Sequence, residues 1–317
     1  MAKCHESDST AEETPLNKLA TNYHYFGGDS GVELADSQLW NAQIYPFLQT
    51  TIKGAIWYQG EADTKDGYAE SYWCGFPAMI EDWRQKWAEN SDTSADFPFG
   101  YVHLSSWDDT TSNRPCGDAV LPCQASAIVR WGQSANYGYV PNAAMPNTFM
   151  ASAIDYGDPD SPWGDIHPRY KQQVAERLAT AAKEVVYGVK GIYWQGPIAS
   201  NAFLIDRVVT INFENVGGSD AETLDIRPPY DGKSWPFEVY VNYTQEWRAQ
   251  EGPVVNGFDK YSVQFSLNSD IDAADVSQVR YAWFHSPCFA TQGPENCIIY
   301  SPEGLPAIPF IKDVANL

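Results

Sequence analysis

Residues 53–63, KGAIWYQGEAD, decide how the first half of the chain is interpreted. The apolar run at residues 55–58 ends abruptly in Gln59, Gly60 and Glu61. This pattern predicts a buried strand whose carboxyl end delivers polar side chains to a loop. Open α/β sheets place catalytic and ligand-binding groups at such strand ends. The stretch therefore predicts one part of an active site.

Strand and helix patterns alternate around this stretch. Helical spacing is predicted over residues 38–51, 68–90, 124–136 and 168–187, and further buried strands over 97–106 and 147–155. In the second helix, an apolar stripe is predicted to be core: Phe76, Ile80, Trp83 and Trp87. This order predicts a parallel sheet between two helical layers over residues 38–190. Residues 1–37 are polar and irregular and form a leader.

From about residue 191 the pattern changes to short strands in which apolar and polar residues alternate. Four segments show it: VVTINF (208–213), FEVYVNY (237–243), YSVQFSL (261–267) and VRYAWF (279–284). Turn-forming residues separate these segments, as is typical of an antiparallel β-sandwich. We therefore expect a domain boundary near Lys190 and a β-sandwich over residues 191–317.

The charge balance excludes two classes of partner. The chain has 41 acidic and 20 basic residues, a net charge of -21, which repels nucleic acid and anionic membrane surfaces. A membrane-spanning helix needs about 18 or more consecutive apolar residues, and no apolar run in the sequence approaches that length. The first residues, MAKCHESDSTAEE, lack the pattern of a signal peptide.

The six cysteines are predicted to form disulfides. The pairs are Cys116 with Cys123, Cys288 with Cys297, and Cys4 with Cys74. No Cys-x-x-Cys or histidine cluster indicates a metal, and we expect no cofactor. Disulfides and the glycosylation sequon Asn242-Tyr243-Thr244 fit an extracellular or lysosomal route.

A second site signal is DSPWGDIHPRYKQ, residues 160–172. His167 lies in a loop just before a helix, where it is well placed to reach a substrate. Asp165 is close enough in sequence to bond the imidazole and fix its tautomer. In the alternative interpretation, His167 only caps the helix that begins at Pro168. The residues alone leave both interpretations open.

Several segments, in order, resemble the sialate O-acetylesterase family of the SGNH-hydrolase superfamily. They are LWNAQIYPF (39–47), KGAIWYQGEAD, FPAMIEDWR (76–84), FPFGYVHLSS (97–106), VRWGQSANYGYVPNAAMPNTFMA (129–151), SPWGDIHPRYKQ (161–172), YAWFHSPC (281–288) and LPAIPF (305–310). The resemblance implies a flavodoxin-like SGNH domain with an appended β-domain, in a lysosomal or secreted protein. It also implies hydrolysis of O-acetyl groups on sialic acids.

The resemblance also assigns roles to residues. His167 takes the family's catalytic histidine position and Gln59 the oxyanion-hole position, in acyl transfer through a serine. Glu61 is expected to support the loop, because a carboxylate facing an oxyanion would oppose its charge. The position three residues before the histidine, often Asp in SGNH enzymes, is Gly164 here. Asp165 is therefore the first choice as orienting acid, and Asp155 is the reserve.

The chain departs from the family at the nucleophile. The family's Gly-Gln-Ser-Asn-Met motif lies upstream of the block that holds Gln59, and none of the 58 residues before Gln59 forms it. Two segments mimic nucleophile motifs, Gly28-Asp29-Ser30 in the polar leader and Gly132-Gln133-Ser134 on a predicted helix. We expect neither to act, and the serine to lie outside this chain. The chain is then either the C-terminal part of a truncated gene model or a processed subunit that acts with a separate N-terminal chain.

Two alternative functions remain. In the first, the protein is an acetylesterase of the same superfamily that acts on other acetylated polysaccharides, such as acetylxylan. In a non-catalytic glycan-binding protein, the β-rich region would hold the ligand.

Overall fold

A computed structural model describes residues 37–64, 68–107, 124–217, 223–229, 235–257, 259, 261–288 and 292–316. The Gly28-Asp29-Ser30 segment and the cysteine pairs that involve Cys4, Cys116 or Cys123 lie outside these residues. The chain forms two compact units, the first from Met1–Lys53 and Ala78–Phe97, the second from Gly54–Pro77 and Pro98–Leu317.

Aromatic contacts hold the first unit together. The ring centroids of Trp83 lie 6.3 Å from Trp40 and 5.5 Å from Trp87. Trp87 also packs edge-on against Phe97 at 6.3 Å. The helix predicted over residues 38–51 is instead a short π-helical turn, Trp40–Ile44, followed by a 3-10 turn, Tyr45–Phe47. Pro46 explains the change, because proline lacks the N–H that would continue an α-helix.

The second unit contains the predicted parallel sheet. Its strands are β1 (Ala55–Trp57), β2 (Phe99–His103) and β3 (Thr148–Ser152), in the order β1-β2-β3 and all parallel. The α-helices of the described residues are α1 (Tyr72–Asn90), α2 (Ala125–Gly132) and α3 (Lys171–Val185). Among the described residues, no helix meets the length and hydropathy needed to cross a membrane.

Both faces of this sheet are covered. Val102 and Phe149 share a core cluster with Leu178 of α3. On the other face, the ring of Phe76 at the start of α1 contacts Tyr101 at 5.2 Å. The predicted layer of helices on each side of a parallel sheet is thus confirmed.

Strand β1 differs from its prediction as a buried strand. Ile56 is 66% exposed, and β1 pairs only with β2 among the described residues. The apolar composition of residues 55–58 predicts full burial, but β1 lies at the edge of the described sheet. An apolar sequence does not show whether a strand has a neighbouring strand on one side or on both.

Helix α3 begins three residues later than predicted. Asp158 holds the preceding turn by accepting hydrogen bonds from the Arg169 backbone N–H at 2.9 Å and from its Nε at 2.7 Å. These bonds keep residues 167–170 out of the helix. Helix α3 also ends at Val185, two residues before its predicted end. Gly188 follows the helix with φ +70° and its N–H bonded to the Glu184 carbonyl at 3.0 Å.

The β-rich region forms one continuous eight-stranded sheet. Its order is β8-β7-β11-β13-β4-β5-β10-β9, with β4 (Ile198–Ile205), β5 (Val208–Glu214), β7 (Phe237–Val241), β8 (Glu246–Ala249), β9 (Val255–Asn256), β10 (Ser262–Ser266), β11 (Val276–Tyr281) and β13 (Phe310–Asn316). Strands β6 (Asp225–Ile226) and β12 (Ile299–Tyr300) form a separate pair. All pairs are antiparallel except β13 with β4.

The large sheet curls over its own core. Phe237 on β7 and Phe265 on β10 are far apart in the strand order, yet their ring centroids are 5.2 Å apart. The predicted β-sandwich is therefore made by one sheet folding back on itself. The predicted disulfide between Cys288 and Cys297 is confirmed, and both cysteines are buried beside this core.

Candidate active site

The loop after β1 turns at Gly60. This residue is buried and has φ +140°, a conformation that disfavours any side chain. A Cβ at this position would lie 3.1 Å from Val129 and 3.2 Å from Leu104. Glycine is therefore required here, because any side chain would collide with Val129 of α2 and with Leu104. Gln59 and Glu61 are its neighbours in the sequence.

The Gln59 side chain is half-buried and fixed in orientation. Its Nε2 donates to the Asp63 carboxylate, and the Tyr72 hydroxyl lies 3.3 Å from both Oε1 and the backbone oxygen of Gln59. Burial raises the pKa of Asp63, and the bond from Gln59 partly opposes that rise. The bond to Asp63 uses one of two amide hydrogens. Gln59 is thus a positioned hydrogen-bond donor.

Residues 53–63 and 160–172 meet in space. Lys171 Nζ lies 3.1 Å from the Tyr58 hydroxyl and 4.3 Å from the centroid of its ring. Burial raises the pKa of Glu61, while the positive charges of Lys171, His167 and Arg130 lower it by less. The two stretches that the sequence singled out therefore contact each other at Tyr58 and Lys171.

His167 is exposed and holds a defined tautomer. Its Nδ1 is 3.0 Å from the Trp163 carbonyl oxygen, and a carbonyl can only accept. The neutral ring therefore carries its hydrogen on Nδ1, and Nε2 keeps its lone pair. The loop is tied by the Ser161 hydroxyl, which donates to the His167 carbonyl at 2.6 Å. His167 does not cap α3, since the helix begins only at Lys171 and its N-cap is Tyr170.

The two candidate orienting acids have different surroundings. Asp165 is half-buried in the His167 loop. Asp155 is buried, receives two hydrogen bonds from Arg177 at 2.6 and 2.9 Å, and accepts a third from the Tyr300 hydroxyl at 3.1 Å. Asp155 is therefore committed to a structural ion pair.

An open cleft of about 730 Å³ lies beside His167. Its lining includes Trp163, which is 71% exposed, and Lys171. The sequence interpretation assigned no role to either residue, although both lie in the stretch 160–172. An exposed tryptophan beside a histidine offers an apolar face to a substrate.

Arg130 is a further residue that the sequence interpretation missed. Its side chain is fully buried and donates to the carbonyls of Leu104, Ser105, Phe284 and His285 at 2.6–3.0 Å. Burial lowers the pKa of Arg130 to about 9, and the charge of Glu61 opposes that effect. This guanidinium ties the segment after β2 to the segment after β11 and adds positive charge behind Glu61.

The Gly132-Gln133-Ser134 segment is structural. Ser134 is buried, donates to the Trp131 carbonyl at 2.9 Å and accepts from Gly138 N–H at 2.9 Å. Gln133 is also buried and pairs through both amide ends with Leu104 and Val102 of the neighbouring segment. These bonds leave Ser134 poorly placed for nucleophilic attack. Among the described residues, no group of three His, Cys, Asp or Glu side chains is arranged to hold a metal ion.

His103 provides a pH-dependent test of the core beneath the site. It is fully buried at the end of β2, and burial lowers its pKa from 6.5 to about 3. The unfolded chain therefore binds a proton that the folded chain does not. As pH falls from 6.5 toward 3, the free energy of unfolding should fall by up to about 1.4 kcal/mol per pH unit.

Urea denaturation at several pH values measures this slope. His103→Leu should make the dependence of the free energy of unfolding on pH shallower between pH 6.5 and 4, because the variant has no imidazole at position 103 to bind a proton on unfolding. Equal slopes for the wild-type chain and His103→Leu would contradict the assignment.

The known proteins to which this chain is similar include sialate O-acetylesterases and a carbohydrate acetylesterase. Residues 218–314 match the sialate O-acetylesterase C-terminal domain family. The sialate O-acetylesterase of Mus musculus is 38% identical over 283 residues, covering 88% of this chain and 48% of the relative. That of Homo sapiens is 36% identical over 283 residues, covering 88% and 49%.

A solved structure has the same fold. The crystal structure of a carbohydrate acetylesterase from Xanthomonas citri aligns with a TM-score of 0.64 at 27% sequence identity, covering 87% of this chain and 54% of the other. The chain spans about half the length of the curated relatives it matches. Residues 218–314 thus match the sialate O-acetylesterase C-terminal domain family, and the chain is similar to sialate O-acetylesterases over 88% of its length.

Proposed function

We propose that this chain supplies the histidine and the amide donor of a sialate O-acetylesterase, with the nucleophilic serine supplied from outside it. The observation that carries the proposal is the meeting of residues 53–63 and 160–172 through Lys171 and Tyr58. The contact supports the proposal because Tyr58 precedes Gln59 directly and Lys171 follows His167 by four residues.

The reaction follows from these groups. His167 Nε2 takes the serine proton as the serine oxygen bonds to the acetyl carbonyl carbon. The Gln59 amide donates to the oxyanion that forms, an interaction worth roughly 3 kcal/mol in a comparable site. The carbon–oxygen bond to the sugar then breaks, and the imidazolium returns its proton to the departing hydroxyl. Water attacks the acyl-serine in the same way and releases acetate.

The residues around His167 take supporting roles. The Trp163 carbonyl sets the tautomer, and Asp165 is the carboxylate that stabilises the imidazolium. Glu61 supports its loop: its backbone carbonyl accepts from the Thr64 hydroxyl at 2.7 Å. Its charge faces Lys171 and Arg130. The indole of Trp163 provides an exposed surface for the substrate.

The edge of β1 supports a contribution from further polypeptide. An exposed isoleucine on an edge strand is a surface that another strand or segment would cover. The mouse and human sialate O-acetylesterases extend well beyond the region they share with this chain. We propose that a separate N-terminal chain, or a preceding segment, carries the serine.

The first experiment measures acetate release from p-nitrophenyl acetate by the purified 317-residue chain. We expect a rate no higher than the uncatalysed one. The rate should rise when the half of the mouse relative that this chain does not match is supplied. Activity of the chain alone that is abolished by Ser30→Ala or Ser134→Ala would refute the proposal.

A second candidate is an acetylesterase for other acetylated carbohydrates, which the Xanthomonas citri structure favours. Comparing acetate release from 9-O-acetylated sialic acid and from acetylxylan separates the two substrates. A non-catalytic glycan-binding protein is the third possibility. Ligand binding without hydrolysis in the complemented protein, unchanged in His167→Ala, would favour it.

We also propose the chain's organisation and location. The polar leader covers residues 1–37, the partial esterase domain 38–190 and the β-domain 191–317. The sequon at Asn242 lies in the exposed turn between β7 and β8, where Tyr243 is 86% exposed. This exposure supports a glycoprotein in lysosomes or outside the cell. Expression through a secretory pathway should give a chain that loses mass on N-glycosidase treatment, and Asn242→Gln should not.

A further inference from the structure

A second cleft lies on the other side of α3 from the His167 site. It has a volume of about 420 Å³, within the range of small-molecule sites. Gln173, Glu176 and Thr180 line it from α3 and share one helix face at i, i+3 and i+7. At about 100° per residue, this face points roughly 180° away from Lys171. A ligand here would therefore be separate from one at His167.

The cleft has aromatic walls. Tyr193 is 44% exposed, and Trp194 is half-buried because it packs against the core cluster beneath α3. Tyrosine and tryptophan lose little side-chain entropy on binding and present large apolar faces. Together the two residues offer a surface on which the C–H face of a sugar ring packs.

The floor of the cleft is rigid. Arg177 pairs with buried Asp155, and its guanidinium lies 4.3 Å from the centroid of the Tyr156 ring. The Tyr300 hydroxyl donates to the Asp155 carboxylate. The Arg227 guanidinium carbon lies 3.8 Å from the centroid of the Tyr300 ring. A floor that is already ordered costs little further entropy when a ligand binds.

The charged side chains that line the cleft restrict the charge of a ligand that could bind there. Three carboxylates line it: Glu176, Glu295 and Glu303. The two lining arginines are already matched, Arg177 by Asp155 and Arg227 by Asp225 at 2.8 Å. The Glu176 carboxylate accepts from Gln172 Nε2 at 2.9 Å, and the Glu295 carboxylate accepts from the Tyr156 hydroxyl at 3.1 Å. Because both donors are neutral, the negative charge of these two carboxylates repels anions such as the carboxylate of a sialic acid. Carboxylates accept strong hydrogen bonds from neutral hydroxyl groups.

We propose that this cleft binds an uncharged sugar unit of a glycan, with its ring against Tyr193 and Trp194 and its hydroxyls donating to Glu176 and Glu295. The site goes beyond the proposed esterase function, because it needs neither the serine nor His167. It would hold a neutral part of the same glycan while the acetylated residue occupies the other cleft.

Titration calorimetry with the 317-residue chain tests this site. The probes are lactose, cellobiose and xylobiose, with 3′-sialyllactose as the anionic comparison. At least one neutral disaccharide should bind with a dissociation constant of about 1–10 mM, as expected for an open cleft. Tyr193→Ala and Glu176→Ala should each weaken binding at least about tenfold, since each removes a wall or an acceptor.

Two variants serve as controls. Tyr187→Ala removes a tyrosine that is 71% exposed and outside the cleft, and His167→Ala alters the other site. Both should bind the neutral disaccharide as the wild-type chain does. Because binding is measured without hydrolysis, an inactive esterase site would not affect the result.

Several results would overturn the proposal. They are no binding of any neutral disaccharide up to about 50 mM, equal affinities in the wild-type chain and both cleft variants, and loss of binding in His167→Ala. Binding of 3′-sialyllactose as tight as that of lactose, or tighter, would also contradict it, because the cleft charge should repel the sialic acid.

Discussion

Replacing His167 with alanine should lower kcat/KM for acetate release from 9-O-acetylated sialic acid by about 10³-fold in the complemented protein. In the proposed mechanism His167 Nε2 is the base, with its lone pair available because Nδ1 donates to the Trp163 carbonyl. Without it, neither the serine nor the water is deprotonated. The measurement is a steady-state assay with the missing half supplied from the mouse relative.

Asp165→Asn is the matched control for this effect. In serine hydrolases where a carboxylate alone sets the histidine tautomer, the equivalent change is severe, at about 10⁴-fold. Here a backbone carbonyl holds the tautomer, so we expect a loss of only about tenfold. A severe loss in Asp165→Asn would show that the carboxylate, not the carbonyl, orients the ring. Unchanged activity in His167→Ala would remove His167 from the mechanism.

Much of the fold could be predicted because its signals are local. The alternation in residues 191–317 indicates strands, and the helical spacing of residues 168–187 indicates α3. The parallel order of β1, β2 and β3 follows from helices placed between strands. The curl of the large sheet was not predictable, because it depends on Phe237 meeting Phe265 across many strands.

The site was predictable in part for the same reason. Residues 53–63 and 160–172 each carry a local pattern, and their meeting follows from the parallel sheet. The roles of Arg130 and Asp155 depend on distant partners, such as the carbonyls of Phe284 and His285, and on the buried Arg177. The sequence does not show which carboxylate a buried arginine will reach.

Removing the carboxylate of Asp155 should destabilise the chain by about 3–5 kcal/mol. Asp155 and Arg177 form a buried pair, with side chains 0% and 9% exposed, and Asp155→Ala would leave the guanidinium without its counter-charge. The midpoint of urea denaturation measures the loss. The matched control is Asp270→Ala, which breaks an Arg–Asp pair whose side chains are 40% and 59% exposed. That change should cost at most about 1 kcal/mol.

The same pair separates a structural from a catalytic role for Asp155. Asp155→Asn keeps hydrogen-bonding atoms at the site, so it should be less destabilising than Asp155→Ala and leave enough folded protein to assay. If Asp155 only holds Arg177 and Tyr300, kcat of the folded, complemented protein should change less than about threefold. A loss of kcat as large as that of His167→Ala, at unchanged stability, would return Asp155 to the position of orienting acid. Denaturation midpoints equal to those of Asp270→Ala would contradict the buried ion pair itself.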